Sequence, residues 1–567
     1  MKENNLLQNI DSNIPKLLEA RPKFAFVYRG SPQAWGATRV AKKIQNIPKS
    51  KGLWYIIYKV LLIFLASALL SAQIFHAFYY PVWRDDAFFS SVAKSLANGQ
   101  GYSAIVFTEA FLFHHGISTG PFLILPAAFL MRLFGNQYWV PSLVNIAVIW
   151  FLLVAIFFVV SKQIGKEKSW FYGFVTLLLL LIYSAGNIGG YGVESNDDIA
   201  LWHLLMGDVA ASLLIILAAL WLFSASFDQK KIAVSGLIIG LALLTKLTVI
   251  FAVITIIAAF AGKISFEKKL KKTQRLKILS LLIIGALAPL GLFELAKIIT
   301  LGLQQYLVVQ LHSLEFYKNI AFIVSSRQDN NIVINTDIAG RISYLLSIFK
   351  CWILIFPLVI YVIYQGRKNH SIARFTALVL IFSALLHVIW WVRFSVGIER
   401  YLVFALFYFF AGLMLLICEI DYKKQSSSIK WAIFALLMLL IVERQPEAHS
   451  LIFDSWKKNP RLQEQLLVVD KIKELQNQGV EVISCGINFE LEYLLADQKN
   501  FRECKNALEN KSASQQMLVS YFIFPGHIAS GKSDSSYVNI SPISEKILAR
   551  CSQIYLETQN FSLRWCK

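Results

Sequence analysis

Charged residues are scarce in this chain. They make up 16% of its 567 residues, whereas 56% are hydrophobic, and this balance excludes an ordinary soluble globular protein. Apolar runs of about 20 residues, long enough to cross about 30 Å of hydrocarbon, recur along its first three quarters. We therefore expect an all-α polytopic membrane protein with about ten or eleven transmembrane helices, or more.

Acidic residues are fewer than basic ones, giving a formal net charge of +20. No basic stretch carries a nucleic-acid-binding motif, so we expect no nucleic acid partner. The basic residues fall mostly in short segments between apolar runs, which the positive-inside rule places in the cytoplasm. The segments used to count crossings are Lys162–Lys168, Lys230–Lys231, Lys263–Lys277, Arg367–Arg374 and Lys423–Lys430.

A small-residue cleavage site is missing after the first apolar run, which predicts an uncleaved helix and a cytoplasmic segment 1–52. The count then gives a transmembrane module over 53–442 and an extracytoplasmic domain over 443–567. These assignments describe a multi-pass protein of the cytoplasmic (inner) membrane.

Two long external loops follow from the same count. The first, 80–138, contains Pro121–Phe134, which is too short to cross and is predicted to be a re-entrant or interfacial helix. A second external loop is predicted over 301–341.

Lys246 interrupts the apolar stretch Ile232–Gly262, which is too long for one helix. A single crossing would bury the lysine near the bilayer centre at a cost of about 3 kcal/mol. A helical hairpin with Lys246 near its outer tip avoids that cost.

Charge counting brings separated polar residues to the outer face. Carboxylates there can activate a hydroxyl or hold a divalent cation, and cations can stabilise a phosphate leaving group. A lipid phosphate at the membrane surface would fit this division. The residues are Asp85, Asp86, Glu194, Asp197, Asp198, Lys246, Arg393, Glu399 and Arg400.

Five motifs occur in order between residues 53 and 420: Arg84-Asp85-Asp86-Ala87-Phe88-Phe89, Ser118-Thr119-Gly120-Pro121, Gly192-Val193-Glu194, Gly240-Leu241-Ala242-Leu243-Leu244-Thr245-Lys246 and Glu399-Arg400-Tyr401-Leu402. Their ordered combination resembles the GT-C superfamily of polyprenyl-phosphate-sugar-dependent glycosyltransferases. Protein mannosyltransferases and aminoarabinose transferases are the most similar members.

The resemblance implies a GT-C-like fold and an inverting transfer of sugar outside the cytoplasmic membrane. The donor would be a polyprenyl-phosphate-linked sugar and the acceptor a hydroxyl on a lipid, glycan or protein, with membrane lipids as surroundings. Asp85 or Asp86 would be the base or acceptor-orienting carboxylate, and Glu194, with Asp197 or Asp198, the second acidic element of the catalytic site. The implied substrate-binding residues are Lys246, Arg400, Asp197, Asp198, His114, His115, Arg393 and Tyr401.

The chain departs from the family at Phe113-His114-His115-Gly116, where relatives often have an acidic residue. These histidines could bind a transition metal, donate to phosphate or do neither, so dependence on a divalent metal ion stays open. Structural roles also remain open: Asp86 could cap the helix that follows it, and Lys246 could extend to the membrane interface.

The last 125 residues lack long apolar runs and any catalytic signature. A helix over Leu462–Gln476 and strands over Val480–Ser484 and Met517–Phe524 predict a small α/β domain. Four cysteines in it allow three pairings, and the sequence-local choice joins Cys485 to Cys504 and Cys551 to Cys566. Four free thiols are the alternative.

Two other functions remain open. A transporter or flippase of lipid-linked sugars would also be polytopic, but it should carry charges within the spans that line its path, and most spans here lack them. A non-catalytic envelope assembly subunit would use the tail as a binding module.

Overall fold

The computed structural model describes most of the helical region and parts of the tail. The chain divides into two compact units, Met1–Ile57 and Tyr58–Lys567, and the first is described only over residues 49–57. The described residues are 49–79, 82, 84–106, 109–114, 116–165, 168–170, 172–173, 205–224, 227–326, 338–348, 360, 371–395, 401–419, 460–484, 493–495, 501–503, 516–521, 553–557 and 561–566.

Helices dominate this part of the chain. Six stretches within it are long and apolar enough to cross a membrane: Lys59–Ala77, Val140–Ile164, Leu247–Phe266, Lys272–Leu301, Ile372–Arg393 and Leu402–Glu419. The predicted class, a multi-pass helical membrane protein, is confirmed. The helices are α1 Lys49–Ala77, α2 Arg84–Ala97, α3 Pro121–Phe134, α4 Val140–Ile164, α5 Asp208–Ser224, α6 Gln229–Thr245, α7 Ile250–Phe266, α8 Lys272–Leu301, α9 Leu303–Ser326, α10 Ile338–Ile348, α11 Ile372–Arg393, α12 Leu402–Glu419 and α13 Pro460–Asn477.

Glycines let α6 and α8 pack backbone to backbone. A Cβ added to Gly236 would lie 2.5 Å from the carbonyl oxygen of Leu282, and one added to Gly240 would lie 2.3 Å from that of Ala286. Small residues four apart permit this close approach between helices inside a membrane, where van der Waals packing drives association. Residue numbers increase in the same direction along the two helices at this contact, so α6 and α8 run parallel. Helix α7, which lies between them in sequence, leads the chain back.

The described basic segments lie at one end of the helix bundle. Lys263 Nζ donates to the carbonyl of Phe223 at the end of α5 (3.1 Å), and Gln163 Nε2 donates to Leu220 O (2.7 Å). Lys168 Nζ reaches the carbonyl of Cys418 at the end of α12 (2.7 Å). These basic segments therefore share one end of the bundle, as expected if all of them face the cytoplasm.

The opposite end of the bundle carries Lys246, which separates α6 from α7. The predicted turn at this lysine is present: α6 ends at Thr245, a short 3-10 helix spans Leu247–Val249, and α7 starts at Ile250. We call this the Lys246 end.

Helix α3 begins and finishes at the Lys246 end. At its start, Gly120 N donates to Thr245 O (3.4 Å). Beyond its C-terminus, Asn136 Nδ2 donates to Asn98 Oδ1 (3.0 Å), and Tyr138 donates its hydroxyl proton to Phe78 O at the end of α1 (2.8 Å). The helix therefore does not cross the bundle.

The two predicted external loops contain regular structure. Segment 80–138 holds α2, α3 and an antiparallel hairpin of β1 Ser103–Val106 with β2 Glu109–Leu112. Segment 301–341, predicted as a loop, contains the 24-residue helix α9.

The described residues of the tail form a five-stranded mixed sheet. Its strands are β3 Glu481–Ser484, β4 Phe501–Glu503, β5 Gln516–Tyr521, β6 Gln553–Glu557 and β7 Phe561–Cys566, in the order β4-β3-β5-β7-β6. The strand β3 is parallel to β4 and β5, whereas β7 is antiparallel to β5 and β6. Apolar residues of α13, including Val468 and Ile472, form a small core with the sheet.

The predicted disulfides stay predictions. Cys485, Cys504 and Cys551 lie outside the described residues, and only the backbone of Cys566 is described. Within the described part, Cys418 is a buried free thiol.

Replacing Gly240 by alanine tests the α6–α8 contact. The added methyl group would overlap the backbone of α8, so we expect a loss of about 1–3 kcal/mol in the free energy of unfolding, measured by thermal unfolding in detergent. Gly262→Ala in α7 is the control: a Cβ there meets nothing within 4 Å, and helix propensity should raise stability by up to about 1 kcal/mol. Equal effects of the two changes would contradict the packing.

Candidate active site

Asp86 ties the first loop to the segment that leads into α5. Its carboxylate, 5% exposed in the first turn of α2, accepts a short hydrogen bond from the backbone N–H of Leu205. Asp85 lies in the same helical turn, and its side chain is outside the described set. The acidic pair therefore stands where two distant segments meet.

A second buried carboxylate faces Lys246. Asp208, the first residue of α5, lies 3.7 Å from Lys246 Nζ through Oδ1, and both side chains are almost fully buried. Among the described residues, neither oxygen of Asp208 accepts a hydrogen bond. The N-terminus of a helix stabilises a negative charge, and the ammonium group provides its counter-charge.

Lys246 makes three polar contacts with other described residues. Its ammonium group donates to Met206 O (3.2 Å) and Ser118 Oγ (3.3 Å), and its third neighbour is Asp208. The ring of Phe89 lies 5.5 Å away. All three polar distances exceed the about 2.7–2.9 Å of a tight charge-assisted bond, so the ammonium group can turn a donor towards another anionic oxygen.

The Ser118-Thr119-Gly120 motif packs against the same tip. Thr119 Oγ1 donates to Met206 O (2.9 Å), and the hydroxyl of Tyr102 donates to Thr119 O (3.0 Å). Gly120 approaches α6 so closely that a Cβ would lie 1.8 Å from Leu244 O. Only glycine fits at this contact without moving the backbone.

The other predicted site residues fall into two groups. His114 is partly buried near Phe88, and its Nδ1 accepts a hydrogen bond from Gly116 N (3.1 Å), which leaves Nε2 to carry the proton of the neutral ring.

Arg393 is exposed beside Phe394. The carbonyl oxygen of Tyr401 is hydrogen-bonded to His387 Nε2 (3.0 Å). His115, Glu194, Asp197, Asp198 and Arg400 lie outside the described residues.

Sequence reasoning brought Asp86 and Lys246 to one face but missed Asp208. The signal was present: Asp208 lies within the apolar run 204–223, and an ionisable residue inside a predicted span marks a functional site by default. Asp197 and Asp198, in the polar loop before that run, are the more conspicuous carboxylates in the sequence.

The described side chains do not form a metal site. Asp208 already faces an ammonium group, Asp86 is bonded by a backbone N–H, and no three His, Cys, Asp or Glu residues in the described ranges are grouped as metal ligands.

Comparison with known proteins rests on structure. No protein-family model matches the chain, and a search of curated proteins gives no match. Two structures of ArnT from Cupriavidus metallidurans do match. The structure bound to undecaprenyl phosphate has a TM-score of 0.54 and 12% identity, covering 89% of this chain and 98% of that one. The apo structure has a TM-score of 0.55 and 11% identity, covering 90% and 97%.

The chain has the ArnT fold. The resemblance predicted from sequence is thereby confirmed for the fold. The oligosaccharyltransferase of Archaeoglobus fulgidus is also similar, with a TM-score of 0.38 and 10% identity over 77% of this chain and 62% of that one. A TM-score of that size does not establish a common fold.

The Asp208–Lys246 pair gives a stability test within this ArnT-like fold. Lys246→Met leaves a buried carboxylate without its counter-charge, so we expect the free energy of unfolding to fall by about 3–5 kcal/mol. The double variant Asp208→Asn with Lys246→Met should recover most of that loss. Thermal unfolding of the purified variants in detergent measures both.

The partly exposed pair Glu294–Lys297, with 2.7 Å between Lys297 Nζ and Glu294 Oε1, is the matched control. Lys297→Met should cost less than about 1 kcal/mol, because solvent screens the partner. Single and double variants at 208 and 246 that lose the same stability would show that the two charges are not coupled.

Proposed function

We propose that the protein is an integral membrane glycosyltransferase. It transfers a sugar, with inversion, from a polyprenyl-phosphate carrier to a hydroxyl of a lipid, glycan or protein at the outer face of the cytoplasmic membrane. The observation that carries this proposal is the ArnT fold over about nine tenths of the chain, combined with a buried cluster of two carboxylates and an ammonium group at one end of the bundle.

The donor class is supported by the comparison structure that holds undecaprenyl phosphate. A polyprenyl chain is apolar and its phosphate anionic, so such a carrier needs lipid-facing helices that lead to a cationic site. Here the end of α6, within an apolar hairpin, holds the loosely bonded ammonium group of Lys246. Lys246, together with Arg400, would stabilise the negative charge that develops on the departing phosphate.

The reaction needs one base and one leaving group. The acceptor hydroxyl oxygen attacks the anomeric carbon and forms the new glycosidic bond, while the bond from that carbon to the phosphate oxygen breaks. The polyprenyl phosphate departs with the electron pair, and the hydroxyl proton passes to the carboxylate of Asp85 or Asp86. Glu194 and Asp208 are further carboxylates for holding the sugar or the acceptor.

The single variants Asp85→Asn and Asp86→Asn test the base. Asparagine at 86 keeps an oxygen that accepts from Leu205 N but removes the charge, so the fold should survive. Transfer should fall by about 10²- to 10⁴-fold in the variant that lacks the base. The measurement is the rate of product formation in membranes, followed by mass spectrometry, with the amount of membrane-inserted protein as control.

Full activity in both variants would show that the acidic pair takes no part in the mechanism.

Mass spectrometry of envelope lipids and glycans from cells with and without the gene would identify the sugar and its acceptor. Accumulation of lipid-linked sugar in vesicles without a new product would instead favour a flippase.

A further inference from the structure

The C-terminal domain is fixed directly to the loop that carries the acidic pair. In α13, the side-chain amide of Gln465 donates through Nε2 to Val82 O (2.8 Å) and accepts at Oε1 from Val82 N (3.0 Å). Gln465 is fully buried, so both bonds are protected from water. Val82 lies four residues before Asp86.

A second contact is made by the short segment Tyr493–Leu495. Tyr493 belongs to the core of the helical bundle, Leu495 belongs to the core of the C-terminal domain, and Leu494 packs against both. On the α2 side, Lys94 Nζ donates to the backbone carbonyl of Tyr493 (3.2 Å) and lies 5.7 Å from the centre of its ring. Three consecutive residues therefore join the two cores beside α2.

The phenol of Tyr493 is buried beside α2, the helix that begins with the acidic pair, and shares a core with Phe89 of that helix. Its side chain is almost fully buried, and its hydroxyl has no hydrogen-bond partner in the described part of the protein. Burial raises the pKa of this phenol, and the negative charge of Asp86 raises it further. The group therefore keeps its proton at physiological pH.

An unpaired buried hydroxyl is costly unless a bound molecule supplies its partner. The partner must tolerate the nearby carboxylate of Asp86, which favours a neutral hydroxyl over an anionic phosphate oxygen. Both the transferred sugar and the acceptor carry such hydroxyls.

We propose that Tyr493 is a substrate-binding residue contributed by the C-terminal domain, and that its phenolic O–H donates a hydrogen bond to a hydroxyl oxygen of the sugar or acceptor held beside Asp86. The inference rests on the proposed function and extends it. The C-terminal domain thereby supplies part of the site.

Tyr493→Phe removes only the hydroxyl. Transfer by the purified full-length protein, with lipid extract from the source cells as donor and acceptor pool, should fall about five- to tenfold, the value of one hydrogen bond to a neutral group. The melting temperature without substrate should stay the same or rise, because the lost hydroxyl had no partner. Binding of undecaprenyl phosphate should stay unchanged, because this probe carries no sugar.

Tyr172→Phe is the matched control, since Tyr172 is equally buried in an apolar crevice lined by Leu153, Ile216 and Phe407. It should leave transfer unchanged. Wild-type transfer by Tyr493→Phe, or a melting temperature that falls in parallel with transfer, would overturn the inference while the proposed function stands. A wild-type protein that transfers no sugar would overturn both.

Discussion

The buried ammonium group of Lys246 is the constraint around which this end of the molecule is arranged. A cation in an apolar hairpin must find oxygen atoms, and water cannot supply them at a site only 3% exposed. Its partners come from Ser118, Met206 and Asp208, which belong to two other segments of the chain. Satisfying one charge therefore brings three segments together.

Two of those segments have an unusual backbone conformation at this contact. Lys246 itself is extended (φ −157°), which ends α6, and Gly207 adopts φ +81° directly before Asp208. Met206 O accepts from both Thr119 and Lys246, so one carbonyl links the first loop to the hairpin. The polar groups at this end therefore form hydrogen bonds between different segments of the chain. Such a network holds a site rigid before substrate binds.

Much of the helical architecture was predictable from sequence, because it depends on local quantities. Run length identified the spans, and the cost of burying Lys246 predicted the break between α6 and α7. Positive segments indicated which helix ends lie together. Helix α9 was missed because its composition is mixed, and helices of this kind give a weak apolar period.

The site was only partly predictable, because its contacts join residues far apart in sequence. Asp86 and Lys246 were identified by motif, whereas the pairing of Lys246 with Asp208 depends on how α5 packs beside α6. No sequence pattern marks Tyr493 as a site residue. Its carbonyl oxygen accepts a hydrogen bond from Lys94, which lies 399 positions earlier in the chain. No local pattern encodes such a contact.

The amide of Gln465 has a consequence for biosynthesis. Val82 emerges from the ribosome 383 residues before the side chain that satisfies its backbone groups. At about 5–20 residues per second, the first loop must wait roughly 20–80 seconds for that partner. The candidate site is therefore assembled late, after the helices between these two residues have been made, and a chain that stops short of α13 leaves it incomplete.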